Sequence, residues 1–65
     1  MKAKIRSYYM GNTEGIALEI YSEVSNSWEL CRWYPIESNR RLIPESIFYK
    51  LKELKNMGYQ IIFDL

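Results

Sequence analysis

The sequence predicts a small α+β domain in the order β-β-β-α-β: a four-stranded mixed sheet, strand order 3-2-1-4, with one helix packed on one face. Three observations predict it. Two early runs, "KAKIRSYYM" and "IALEIYSEV", alternate apolar and polar residues with period two, as half-buried strands do. A later run, "PESIFYKLKELKNMG", switches to helical spacing between a proline and a glycine. A short apolar stretch, "YQIIFDL", follows the helix and reads as a last strand.

Length and composition set the frame. The 65 residues allow one domain, residues 1–65. A chain of this size buries only about 60% of its unfolded surface, so a good core, a crosslink, a metal or self-association has to supplement it. Cys31 is the single cysteine and histidine is absent. That rules out an internal disulfide and argues against a zinc site, so no metal or cofactor is expected. Apolar residues make up 48% of the chain, which places it among folded rather than disordered sequences. Net charge is +1, too small for an overall field that would draw it to nucleic acid or anionic lipid. No apolar run is long enough to span a membrane or act as a signal peptide, and with a lone thiol the expected setting is cytoplasmic.

The first strand spans about residues 2–10. Ala3, Ile5, Ser7 and Tyr9 lie on one side, and Lys2, Lys4, Arg6 and Tyr8 on the other. "GNTEG" is rich in turn formers, and the second strand then covers about 15–24, with Ile16, Leu18, Ile20 and Val24 opposing Ala17, Glu19, Tyr21 and Glu23. Residues 1–10 carry bases and no acid, and residues 11–30 acids and no base. A register joining Met10 to Gly15 sets Arg6 opposite Glu19, Lys2 opposite Glu23 and Lys4 opposite Tyr21. It also sets Ile5 against Ile20 and Tyr9 against Ile16. Opposite charges paired across strands contribute roughly 0.2–1 kcal/mol each, so charge and parity support the same hairpin.

The third strand, about 27–34, is "SWELCRWY", ended or held to an edge by Pro35. Large apolar side chains occupy both parities, so its register is ambiguous. A two-residue turn at Ser25-Asn26 sends Cys31 and Trp33 to the core and Trp28, Leu30, Arg32 and Tyr34 outward, with Arg32 opposite Glu19. A three-residue turn does the reverse and buries Arg32 without an obvious partner, at a cost. The first arrangement is preferred. "ESNRRLI" is a polar connection.

The helix covers about 44–57. Pro44 suits its first turn, and Glu45 sits near the positive end of the dipole. Ile47, Leu51, Leu54 and Met57 form one apolar stripe with Phe48 beside it, while Lys50, Lys52, Glu53 and Lys55 face away. Gly58 is placed to close the helix in a left-handed turn. The last strand, about 59–64, is reached through a helical crossover and lies parallel to the first, as right-handed crossovers favour.

One helix covers one face of such a sheet, so the other is open. It is expected to carry Trp28, Leu30, Tyr34, Tyr21 and Tyr8 with Arg32 and Arg6 beside them, and an apolar patch of that kind marks an interaction site. The first expectation is a non-enzymatic binding module that uses this face to dimerise or to dock on another protein, since Trp, Tyr and Arg dominate interface hot spots. The alternative is single-stranded nucleic acid, stacked on the aromatics and held by Lys2, Lys4, Arg6 and the Arg40-Arg41 pair. Glu19 and Glu23 oppose that reading, because an electrostatic footprint needs a net basic surface. Catalysis is the weakest case. Histidine is absent, Cys31 has no base to activate it, Glu37, Glu45 and Asp64 are scattered, and the three glycines stand singly rather than in a phosphate-binding loop.

Overall fold

The computed structural model describes residues 1–36 and 44–65. The chain forms β1 (Lys2–Met10), β2 (Thr13–Ser22), β3 (Ser27–Pro35), α1 (Glu45–Asn56) and β4 (Gln60–Asp64). The strands make one sheet in the order β3-β2-β1-β4, with β4 parallel to β1 and the other pairs antiparallel. Fold class and topology are those the sequence predicts. The connection "ESNRRL", with Glu37, Arg40 and Arg41, lies outside the described residues.

The first hairpin turns more tightly than expected. Gly11, at φ +60°, takes the first central position of a two-residue turn with Asn12. Glycine there is the type II′ arrangement, whose twist matches that of paired strands. Thr13, Glu14 and Gly15 therefore extend the ladder, and the expected register is corrected by two residues. Ile5 faces Leu18, Tyr9 faces Glu14, Lys4 faces Glu19 and Arg6 faces Ala17. A shift of two leaves the side chains paired in this ladder on their predicted faces, because faces alternate with period two.

The second hairpin turns more widely. Ser22 pairs with Ser27 across Glu23–Asn26, in place of the expected two-residue turn at Ser25-Asn26. Asn26 adopts the left-handed region at φ +55°, a conformation asparagine tolerates, and its side-chain oxygen accepts a hydrogen bond from the Tyr21 hydroxyl. Val24 is consequently at the loop tip and fully exposed rather than on the core face.

The core lies between α1 and the facing side of the sheet. Ile47, Leu51 and Leu54 recur at helical spacing and pack with Ala3, Ile5, Ile16 and Leu18, while Ile20, Cys31, Ile36, Tyr59 and Ile61 border them. Each large aliphatic side chain so buried contributes roughly 1.5–3 kcal/mol relative to exposure. Met57, expected in the stripe, instead caps the helix and is exposed. Beyond it Gly58, at φ +93°, donates its N–H to Lys55 O and Tyr59 donates to Leu54 O, both at 3.0 Å. These two bonds make a Schellman closure, and Tyr59 supplies its accompanying apolar contact with the core.

β2 is buried on both faces from Gly15 to Glu19. The helix covers only one of them. The other is covered by side chains of the open face itself.

Candidate functional site

The open face is shaped by one irregularity in β3. From Ser22↔Ser27 to Glu19↔Leu30 the two strands keep one register, and from Leu18↔Arg32 to Gly15↔Pro35 they keep another. Cys31 is the extra residue between them, so a β-bulge interrupts the alternation there. Cys31 packs against the core border, as expected. Beyond it the parity is inverted relative to the prediction.

Trp28 and Leu30, before the bulge, share the open face with Tyr21 and Glu19, as predicted. Trp33, expected in the core, pairs with Ala17 and joins the open face. Arg32 and Tyr34, expected on the open face, pair with Leu18 and Ile16 and so lie on the helix side. The feared cost of burying Arg32 does not arise, because β3 is an edge strand and both Arg32 and Tyr34 are exposed there. The bulge thus resolves why large apolar residues occupy both parities of "SWELCRWYP".

Trp33 straps the sheet. Its indole lies across Gly15 on β2, and its Nε1–H donates to the main-chain oxygen of Tyr8 on β1 at 3.0 Å. A side chain at Gly15 would collide with the ring. Glycine inside a strand often marks such a close approach, and the small Ala17, fully buried beside it, continues the furrow. The pair Gly15 and Ala17, on one parity of β2, is the signal that could have placed a large side chain above them.

The rest of the face alternates cations with rings. Lys4 Nζ stands 4.4 Å from the Trp28 ring centre, Arg6 Cζ stands 4.7 Å from that of Tyr8, and Lys2 Nζ stands 5.9 Å from that of Tyr21. Tyr21 and Trp28, directly opposed across β2 and β3, meet edge to face at 5.4 Å. Such contacts contribute roughly 0.5–1.5 kcal/mol for an aromatic pair and roughly 0.5–1 kcal/mol for an exposed cation over a ring. Tyr8, Tyr21, Trp28 and Trp33 are all half-buried, and Leu30 is more exposed than any of them.

Arg6 holds the centre electrostatically. Its guanidinium hydrogen-bonds the Glu19 carboxylate through Nε and, at 3.3 Å, through Nη2. The predicted Arg6–Glu19 pair therefore exists, reached diagonally rather than directly across the strands. That hydrogen bond raises the arginine pKa above its ordinary value, against an opposing effect of burial, and the charges of Glu19, Tyr8 and Asp64 add to the rise. Glu19 is nearly buried, so its charge is sheltered within the layer.

Of the sequence-predicted residues, the structure brings together Trp28, Leu30, Tyr21, Tyr8 and Arg6, adds Trp33, and separates Tyr34 and Arg32. Among the described residues, no group of three or more histidine, cysteine, aspartate or glutamate side chains is placed to hold a metal ion. No helix among them is long and apolar enough to cross a membrane. No protein-family model, curated protein or solved structure matches the chain.

Proposed function

We propose that the protein is a non-enzymatic binding module that docks on a protein surface through the open face of its sheet. The observation that carries this reading is the layer of Trp28, Trp33, Tyr21 and Tyr8, half-exposed and held in place before any partner arrives. Rings fixed by a strap and by flanking cations lose little freedom on binding, and preorganisation of that kind favours affinity. Leu30 projects from the layer as an apolar contact, 43% exposed. Tryptophan, tyrosine and arginine are also the side chains on which interface energy concentrates.

Single-stranded nucleic acid is the weaker occupant. Each of Lys2, Lys4 and Arg6 is engaged with a ring of its own face, and Arg6 is neutralised by Glu19. Ring faces covered by cations are poor platforms for bases, and neutralised cations are poor phosphate ligands. A cytoplasmic setting accords with Cys31, a half-buried free thiol.

Leu30→Lys tests the reading without touching the core. The variant should keep the wild-type circular dichroism. Immobilised wild-type protein should retain a partner protein that the variant loses, and titrating that partner should shift the tryptophan emission of wild type. A partner held equally by both would move the docking surface elsewhere. Tight, salt-dependent binding of a short single strand to wild type would overturn the protein reading in favour of nucleic acid.

A further inference from the structure

The two edges of the sheet are built differently. The β3 edge carries the devices that discourage strand addition: a bulge at Cys31, a proline at its end, and the charged Arg32 and Glu29. The β4 edge has neither bulge nor proline, and its charge is confined to Asp64 at its end. Its residues Gln60–Asp64 have no lysine, arginine, proline or bulge, and no described strand pairs with its outer side. Phe63 on this strand is 63% exposed, and Phe48 on the neighbouring helix 49%. Between strand and helix runs a groove of about 480 Å³, lined by Tyr59, Ile61 and Phe63 on one side and by Phe48, Lys52 and Lys55 on the other. A largely apolar edge with a groove beside it is a template for another strand.

We propose that this edge pairs antiparallel with β4 of a second copy, joining the two sheets into one. Three features of the chain specify that occupant.

The first is the hydrogen-bond parity. Gln60 N–H donates inward to Met1 O at 2.9 Å, so Gln60, Ile62 and Asp64 direct their main-chain groups toward β1. Ile61 and Phe63 consequently direct theirs outward. Antiparallel pairing requires outward-directed residues to oppose one another. Centring the two-fold axis on Ile62 achieves this over the whole strand: Ile61 of each copy faces Phe63 of the other and exchanges both hydrogen bonds with it.

The second is the side-chain face. Ile61 and Phe63 pair with Ala3 and Ile5 of β1 and so point to the helix side. Opposed across the new ladder, they form aliphatic–aromatic pairs, a favourable cross-strand combination. They would also cover the apolar groove on both copies.

The third is the charge along α1. Glu45, Phe48, Lys52 and Lys55 are spaced three, four and three residues apart and so share one helix face. That face reads acid, ring, base, base from start to end. A two-fold axis perpendicular to the strand reverses the second helix, bringing the acidic start of each toward the basic end of the other. An isologous interface requires such self-complementarity. Among the described residues neither Lys52 nor Lys55 is in an ion pair, whereas Lys50 binds Glu53 within the helix at 3.6 Å.

This interface uses an edge and leaves the open face free, so it is independent of the proposed docking function. Two copies would present their aromatic layers on one continuous sheet.

Sedimentation equilibrium from micromolar to millimolar concentration tests the proposal, on wild type, Phe63→Lys and Leu30→Lys. The expected result is a wild-type dimer, a monomeric Phe63→Lys with unchanged circular dichroism, and a dimeric Leu30→Lys. A wild type that stays monomeric throughout overturns the proposal. So does a dimer that survives Phe63→Lys and dissociates in Leu30→Lys, which would place self-association on the open face. Ile62→Cys in a Cys31→Ala background tests the register separately. Opposed residues of a non-hydrogen-bonded pair lie about 4.5 Å apart at Cα, within disulfide reach, so mild oxidation should crosslink two copies. Failure to crosslink a variant that sediments as a dimer overturns this register.

Discussion

Gly15 shows how much can rest on an absent side chain. Trp33 reaches Tyr8 O only by crossing β2 where that strand has no Cβ. Gly15→Ala should therefore force the indole off its seat and cost about 1–3 kcal/mol, as overpacking does. Chemical denaturation should show the loss, and red-shifted tryptophan emission should show its origin. Gly11→Ala is a control of a different kind, since nothing lies within 4 Å of its would-be Cβ and only its left-handed φ is at stake. The Arg6–Glu19 pair is asymmetric in a testable way: the arginine side chain is 35% exposed and the glutamate 8%. Arg6→Met leaves a sheltered carboxylate without its cation and should cost about 2 kcal/mol, whereas Glu19→Gln keeps an acceptor and should cost under about 1 kcal/mol. Folding raises the arginine pKa, so its contribution is complete below the unfolded value and is lost only as pH rises through the folded one. Both lie far into the alkaline range. The stability difference between wild type and Arg6→Met should therefore show no arginine titration from about pH 5 to about pH 9, as denaturation at several pH values would record.

At the scale of elements, the ends of α1 were legible and the interior of β3 was not. Proline before the helix and glycine after it act locally, through backbone constraints that need no knowledge of the rest of the fold. Gly58 stands in the expected left-handed closure, and Pro44, expected in the first turn, stands one position before it as the N-cap. Gly58→Ala should lower stability by about 1 kcal/mol, because the added Cβ meets no neighbour and penalises only the positive φ. Gly58→Asn should recover part of it, since asparagine tolerates that region; thermal melts of the two variants would make the comparison. The bulge at Cys31 had only a faint signal, namely apolar residues on both parities. Alternation would have put Trp33 under the helix. The furrow over Gly15 and Ala17 on the opposite face accepts it instead, and Cys31 is small enough to sit at the core border in its place. The turn lengths depart from the sequence expectation for a related reason. "GNTEG" and "SNS" name where the chain turns, but ladder pairing on either side decides how many residues the turn consumes.

The whole molecule meets the difficulty of small size by using its surface twice. One side of the sheet is covered by α1, and the other by its own rings and cations, so β2 is buried on both faces without a second helix. A domain this short still gains from association, because burial per residue rises with size. If β4 edges pair, folding is linked to dimerisation and stability depends on concentration. The thermal midpoint of wild type should then rise over a hundredfold increase in protein concentration, and that of Phe63→Lys should stay constant. Scanning calorimetry at several concentrations distinguishes the two.

By itself the sequence determined the order of elements, the sheet topology, the helix and its closure, and the faces of β1 and β2. Period-two and period-3.6 patterns, together with proline and glycine, are local signals, and a crossover helix leaves few topologies open. Tertiary structure alone decided the pairing partners, the direction in which Trp33, Arg32 and Tyr34 point, and the contrast between a bulged β3 edge and a regular β4 edge. Those depend on contacts between residues far apart in the chain, such as Trp33 with Gly15 and Tyr8. A bulge of one residue inverts every side chain beyond it, and its position is chosen by which face offers the better fit.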